Sequence, residues 1–160
     1  MDNALRRQQE AESEARRVAQ NTSTAGLYHV KTLHLLDTLL EATHQDTLVA
    51  IAAYCTSCGI YKRFLEVVET VCDEQQHVVF VRHDVITEYD GPSDISQLYR
   101  IKSVPVILLL NRDGAVVDTT RPIASIRQHI RHRDVIENEL NEMRHSITSK
   151  ILHHIHIDNR

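Results

Sequence analysis

Short apolar runs alternate along the chain with segments whose apolar residues recur at helical spacing. The short runs predict strands at 27–32, 47–53, 77–81, 104–110 and 115–119. The helical spacing predicts helices at 33–42, 59–72 and 94–99, and a longer helical pattern that starts near residue 123. The order β-α-β-α-β-α-β-β-α combines parallel strands joined by helices with a closing antiparallel hairpin. It predicts an α/β protein whose central mixed sheet is flanked by helices on both faces.

The two ends of the chain fall outside this pattern. Residues 2–20 are rich in alanine, glutamate and arginine and have hardly any apolar stripe, which indicates an exposed helix or a frayed tail. The sequence therefore predicts an N-terminal helical or flexible extension at 1–26, a domain at 27–133 and a C-terminal amphipathic helical extension at 134–160.

The C-terminal extension carries an apolar stripe whose members recur every three or four residues: Ile136, Leu140, Met143, Ile147 and Ile151. A helix does not leave such a face in water without reason. The stripe can fold back on the domain, pair with a second copy of the chain, or dock on another subunit. We favour docking on a larger assembly, because roughly two heptads are short for a free-standing coiled coil.

Composition narrows the class of protein. Of 160 residues, 42% are hydrophobic and 25% are charged, which is ordinary for a soluble globular protein. The net charge of −4 argues against nucleic acid as the main partner, and no apolar run approaches the ~20 residues of a membrane span. The N-terminus lacks the apolar core of a signal peptide, and its acids are untypical of a transit peptide. Three cysteines also fit a reducing compartment, so we expect a cytoplasmic protein and leave an organelle open.

The strongest chemical signal is the C-T-S-C motif that runs from Cys55 to Cys58, between a predicted strand and a predicted helix. At such a junction the first thiol lies at the helix N-terminus, where the dipole and the free amide N–H groups favour the thiolate. The second thiol lies one turn on, within reach of a disulfide. This arrangement suits thiol–disulfide exchange.

Other candidate groups carry weaker signals. Cys72 lies on the apolar side of its helix and is predicted to be a buried, inert thiol. Eleven histidines include His153, His154 and His156, but no H-E-x-x-H or paired C-x-x-C spacing indicates a built metal site. Zinc held by the two motif thiols with histidines from elsewhere is the alternative. We expect no metal and no cofactor.

Together these motifs resemble a thioredoxin over about residues 27–133. The resemblance rests on four features: the aromatic residue and C-x-x-C at Tyr54 to Cys58, Asp84 at the end of the third strand, I-x-x-V-P at Ile101 to Pro105, and N-x-D-G at Asn111 to Gly114. It implies the thioredoxin fold. It also implies that Cys55 attacks a protein disulfide as the thiolate and that Cys58 resolves the mixed disulfide.

The resemblance further implies a substrate-binding surface around the motif. Pro105 would be cis, and Val104 would offer its backbone to an extended substrate segment. Tyr54 would flank the site. Thr56 and Ser57, which stand where thioredoxins usually carry Gly-Pro, complete this surface, and Ser57 can donate a hydrogen bond to a thiolate.

Several positions depart from the thioredoxin pattern. Val49 and Phe80 occupy the positions of a buried aspartate and its lysine partner, so no obvious group remains to take the proton of Cys58. His83 and Asp84 are the nearest candidates in sequence. The glycine expected after the last strand is also absent, and Arg121 stands in that stretch, where it either selects acidic partners or is merely solvated.

Two functions follow. The first is a thioredoxin-like thiol–disulfide oxidoreductase that uses the Cys55 and Cys58 pair on protein disulfides. The second is a redox-weak or inactive thioredoxin-fold subunit of a large multiprotein assembly, docked through its helical extensions. We favour the oxidoreductase, because a domain without activity is free to lose either cysteine.

Overall fold

The protein is described here by a computed structural model that covers residues 6–7, 9, 27–43, 47–57, 60–75, 77–87, 91–121 and 133–158. Its strands are β1 (Tyr28–His29), β2 (Leu48–Tyr54), β3 (Val78–Asp84), β4 (Val106–Leu110) and β5 (Val116–Thr120). Its helices are α1 (Leu33–Ala42), α2 (Tyr61–Glu74), α3 (Asp94–Leu98) and α4 (Arg133–Asp158). The predicted element order is confirmed. The predicted N-terminal extension lies outside the described residues, apart from residues 6, 7 and 9.

The five strands form one mixed sheet in the order β1-β3-β2-β4-β5. β1, β3 and β2 run parallel, whereas β4 is antiparallel to β2 and β5 is antiparallel to β4. Every residue of β2 and β4 is buried, as expected for central strands that helices cover on both faces. The predicted α/β thioredoxin fold is confirmed. None of the described helices is long and apolar enough to cross a bilayer.

Alternate residues of the strands feed two separate core clusters. The first, here called the α1 cluster, joins helices α1 and α3 to one sheet face through residues that include Leu36, Leu39, Val49, Val81 and Ile95. The second, called the α2 cluster, joins α2 and α4 to the other face through residues that include Phe64, Val68, Phe80, Ile147 and Ile151. This period-two division is what a strand buried on both faces requires.

The N-termini of α1 and α3 are tied together by polar caps. Ser93 accepts the N–H of Ser96 at 3.0 Å and so caps α3. Thr32 caps α1 by accepting the N–H of Leu35 at 3.2 Å. The neighbouring Asp94 accepts the N–H of Leu33 at 3.0 Å, so one acidic side chain of α3 satisfies a free donor of α1.

The C-terminal stripe covers its own domain. Leu140, Met143, Ile147 and Ile151 are between 1% and 3% exposed, and the last three belong to the α2 cluster. The preferred prediction that this face docks on another subunit is therefore wrong for these four residues. These four residues instead fit the other possibility, in which the helix folds back on its own domain. The side chain of Ile136 lies outside the described residues.

Polar contacts hold α4 in this position at several points along its length. Arg63 of α2 pairs with Glu137, and Arg144 pairs with Glu74 at 2.6 Å. Near the other end of α4, His154 bonds the Asp118 carboxylate of β5 at 3.0 Å. These groups are partly exposed, so each pair contributes little on its own. The buried apolar stripe is the main attachment of the helix.

Candidate functional site

The candidate site begins where β2 ends. Cys55 follows Tyr54 directly, and its half-buried side chain packs against the α1 cluster. The Cys55 Sγ atom lies 2.8 Å from the hydroxyl oxygen of Ser57, and both Thr56 and Ser57 are exposed. Either atom of this contact can donate. When Cys55 is a thiolate the hydroxyl must be the donor, which is the interaction predicted for Ser57.

The helix that follows the motif starts later than predicted. α2 begins at Tyr61 rather than Gly59 and continues to Glu74, beyond the predicted end at Cys72. Its N-cap residue, Ile60, offers no side-chain acceptor. Cys55 therefore precedes the helix by six residues, whereas helix electrostatics fall off within the first turn. Among the described residues, Ser57 and not the helix terminus is the polar partner of this thiol. Cys58 lies outside the described residues.

The Val104–Pro105 peptide bond is cis, as predicted from the sequence. Ala53 of β2 is paired with Val106 of β4, so in an antiparallel ladder the next two residues of one strand face the preceding two of the other. This register sets Val104 and Pro105 alongside Tyr54 and Cys55. Val104 and Cys55 also pack against the same α1 cluster, and both are half-buried. The structure thus brings the predicted nucleophile and the cis-proline loop together at the end of β2 and the start of β4.

Tyr54 occupies a different place from the one predicted. Its side chain is only 3% exposed, and its ring stacks on Tyr61 with centroids 6.0 Å apart and planes 16° apart. Burial raises the pKa of the Tyr54 hydroxyl. The predicted contact between this ring and a substrate does not fit such burial. Tyr54 lies with Ala52 on the α2 face of β2, opposite to the face that carries Ala53.

His83 is a buried histidine with both ring nitrogens engaged. Nδ1 lies 2.7 Å from the carbonyl oxygen of Val30, and Nε2 lies 2.7 Å from the hydroxyl of Ser93. A carbonyl only accepts, so Nδ1 carries the hydrogen and Nε2 accepts from Ser93. The ring is 1% exposed, and its burial lowers its pKa although the Val30 carbonyl opposes the shift. His83 therefore connects β1, β3 and the cap of α3, and it has no free nitrogen to accept a proton from Cys58.

We expect His83 to make the protein less stable on mild acidification. The unfolded histidine takes up a proton near its ordinary pKa of 6.5, whereas the buried ring stays neutral, so stability is lost as pH falls through 6.5 toward the lower folded pKa. His83→Asn keeps a donor for Val30 and removes this titration. At about pH 7.5 we expect urea unfolding of this variant to give a free energy of unfolding about 1–3 kcal/mol below that of the wild type. Between about pH 7.5 and 5.5 the free energy of unfolding should fall less in the variant than in the wild type. Equal pH dependence in the two proteins would contradict this role.

The other proton-acceptor candidate, Asp84, makes a local turn. Its Oδ1 atom accepts the N–H of Ile86 at 3.1 Å, and its backbone is paired with Tyr54. Asp84 also lines an open cleft of about 510 Å³ with Lys31, Thr32 and Ser93 among its neighbours. This cleft lies at the carboxyl ends of β1 and β3, one strand away from the motif.

The positions of the missing charge pair face opposite sides of the sheet. Val49 is 0% exposed in the α1 cluster, and Phe80 is 1% exposed in the α2 cluster. Val49 is paired with Val79, so the pleat turns the next residue, Phe80, to the other face. The side chains of Val49 and Phe80 therefore do not replace the charge pair as a contacting apolar pair. Each fits the apolar cluster on its own face.

Cys72 agrees with its prediction as an inert thiol. It is 2% exposed, and burial raises its pKa to about 11, so it is a thiol at neutral pH. Within the described ranges, no group of three or more histidine, cysteine, aspartate or glutamate side chains is arranged to hold a metal ion. The chemically available thiol among the described residues is thus Cys55.

Sequence comparison relates the chain to thioredoxin-like proteins. It is 33% identical over 76 residues to thioredoxin-like 4, chloroplastic, of Arabidopsis thaliana, which covers 45% of this chain and 37% of that protein. It is 33% identical over 109 residues to the protein of the same name from Oryza sativa subsp. japonica, which covers 62% of this chain and 51% of that protein. The chain thus spans about half the length, or less, of the curated relatives it matches. No model of a known protein family matches it.

Structure comparison gives the same class. Thioredoxin f from spinach chloroplast is 16% identical, with a TM-score of 0.56 over 82% of this chain and 93% of that chain. Thioredoxin f2 in its complex with ferredoxin:thioredoxin reductase is 20% identical, with a TM-score of 0.52 over 59% of this chain and 81% of that chain. These similarities show the thioredoxin fold. The chain is thus similar in sequence to thioredoxin-like proteins and in fold to thioredoxins.

Proposed function

We propose that the protein is a thiol–disulfide oxidoreductase with Cys55 as the nucleophile and Cys58 as the resolving thiol. The observation that carries the proposal is the half-buried Cys55 Sγ, 2.8 Å from the Ser57 hydroxyl and alongside the cis Val104–Pro105 bond. A thiol becomes a nucleophile as the thiolate, which a hydroxyl donor stabilises. Among the described residues the backbone of Val104 has no hydrogen-bond partner, so it can pair with an extended substrate segment beside this sulfur, and Thr56 lies next to Cys55.

The proposed reaction has two exchanges. The Cys55 thiolate attacks one sulfur of a protein disulfide, so a Cys55–substrate bond forms, and the displaced sulfur leaves as a thiolate that takes up a proton. Cys58 then loses its proton to solvent and attacks Cys55 Sγ. The Cys55–Cys58 disulfide forms and the second substrate thiol is released. Two electrons pass to the substrate, and a protein dithiol reductant must return two to this chain.

The assembly-subunit function loses part of its support. It required a free apolar face on the C-terminal helix, but Leu140, Met143, Ile147 and Ile151 are covered by the chain's own sheet and α2. Protein partners remain part of the proposal as disulfide substrates and as the dithiol reductant. Both sequence relatives are named as chloroplastic, which favours an organelle over the cytoplasm for this chain as well.

A redox titration tests the proposal. The full chain is equilibrated in buffers of increasing ratio of glutathione disulfide to glutathione, alkylated and analysed by peptide mass. We expect one Cys55–Cys58 disulfide with a defined midpoint, while buried Cys72 stays reduced at every ratio. A chain that forms no Cys55–Cys58 disulfide at any ratio, or pairs either thiol with Cys72, would overturn the assignment.

A further inference from the structure

We infer that Arg121, with Arg100 and Lys102, forms a cationic rim that selects disulfide substrates carrying acidic residues near the reactive cysteine. The inference rests on the proposed exchange at Cys55 and names its substrate class. The carrying observation is a hydrogen bond of 3.0 Å from the Arg121 guanidinium to the hydroxyl of Ser103. This bond fixes the cation on the cis-proline loop, two residues before Pro105.

The register of the sheet gives the distance from the rim to the nucleophile. Ile107 of β4 is paired with Thr120 of β5, so Arg121 lies beside the start of β4, on the side away from β2. Cys55 lies on the β2 side of the same loop. Two strand spacings amount to about 10 Å, and an extended chain advances about 3.3 Å per residue. A carboxylate about three residues from the substrate cysteine can therefore meet Arg121.

The charges of the rim are uncompensated within the described part of the chain. Arg100, Lys102 and Arg121 are exposed, and none of them has an ion-pair partner among the described residues. Among the other described cations, Arg63, Arg144 and Lys150 each pair with a carboxylate, whereas Arg112 at the hairpin turn is exposed and has no ion-pair partner among the described residues either. Asp118, the acid of β5, is held by Lys150 and His154 and lies level with Leu109, away from the loop. A rim of three cations therefore stands on a chain whose net charge is −4.

The backbone of Arg100 supports the same assignment. Its φ of 52° lies in the left-handed region, which glycine adopts more easily than any other residue. The N–H of Ile101 bonds the Ser96 carbonyl at 2.9 Å and the N–H of Arg100 bonds that of Gln97 at 3.3 Å, the pattern of a helix end that usually carries glycine at this position. An arginine here costs stability, and its side chain is exposed three residues before Ser103. A preference for acidic substrates is a function that this strained position can serve.

Matched peptides test the rim. Two ten-residue peptides each carry one cysteine as its 2-thiopyridyl disulfide, with glutamate in one and glutamine in the other three residues to either side. Attack by Cys55 releases 2-thiopyridone, whose absorbance gives the rate. At low ionic strength we expect the glutamate peptide to react about fivefold faster, and this ratio to fall to about twofold in Arg121→Gln. The ratio should also fall at about 0.5 M salt, because the cations are exposed.

Two further variants sharpen the result. Arg112→Gln removes an exposed arginine at the hairpin turn, the far end of β4 and β5 from Arg121, and should keep the wild-type ratio. Arg100→Gly should raise the thermal midpoint and lower the ratio together. Equal rates for the two peptides, or a ratio that Arg121→Gln leaves unchanged, would overturn the acid preference alone. If neither peptide reacts at Cys55, the proposed exchange itself fails and the preference with it.

Discussion

Cys58→Ser is expected to stop the proposed exchange at its first intermediate. Cys55 can still attack a disulfide, but the thiol that would release it is gone, so the mixed disulfide should accumulate to about one per chain. Incubation with excess glutathione disulfide, followed by intact mass, detects the adduct and peptide mass locates it on Cys55. Cys55→Ser should instead lose turnover of a protein disulfide by on the order of 100-fold or more, because the covalent step has no nucleophile.

The third cysteine supplies the control for this pair of variants. Cys72→Ser should leave adduct formation and turnover unchanged, since burial raises the pKa of Cys72 to about 11 and its side chain is 2% exposed. An adduct that forms on Cys58 in the Cys55→Ser chain at the wild-type rate would reverse the two roles. Absence of an adduct in Cys58→Ser would contradict nucleophilic attack by Cys55.

Ile151→Ala is expected to lower the free energy of unfolding by about 2–5 kcal/mol, since it removes a buried side chain and leaves a cavity between α4 and the sheet. Ile151 is 1% exposed within the α2 cluster. Its neighbour Leu152 is 45% exposed, so Leu152→Ala is a matched control on the same turn of the helix and should change stability by less than about 0.5 kcal/mol. Urea unfolding of the isolated chain measures both.

The same two variants distinguish a core helix from a docking extension. If the apolar stripe were covered only by another subunit, the isolated chain would unfold at the same urea concentration with or without the Ile151 side chain. A difference of at least about 1.4 kcal/mol between the two variants, a tenfold change in the folding equilibrium, supports α4 as part of the core. Similar values for both would contradict its packing on the α2 cluster.

Most of the fold follows from local patterns. Short apolar runs predicted β2 and β4, and helical spacing predicted α3 within a residue of its observed bounds. The stripe on α4 also predicted a buried face, but periodicity says that a face is covered and not what covers it. The usual length of a related domain placed these residues outside the fold. In the structure, α4 packs against α2 and the sheet, so these residues belong to the core.

The site was predictable where chemistry is local and obscure where it depends on strand faces. The C-T-S-C motif predicted the thiol, and the resemblance to thioredoxins implied the cis Val104–Pro105 bond. The burial of Tyr54 follows from its parity with Ala50 and Ala52, whose small side chains leave room on the α2 face for aromatic rings. The bonds of His83 to Val30 and Ser93 join residues 53 and 10 positions apart, and no sequence spacing announces them.

Because α4 packs on one face of the sheet and comes last in the chain, that face is completed late during synthesis. The helix α2, which covers part of one sheet face, is made before β5, but the residues of α4 that complete this cover, Met143, Ile147 and Ile151, follow the end of β5 by roughly 20–30 residues. At roughly 5–20 residues per second, this face stays partly uncovered for about one to six seconds during synthesis. The α1 face, whose helices α1 and α3 both precede β5, has no such delay.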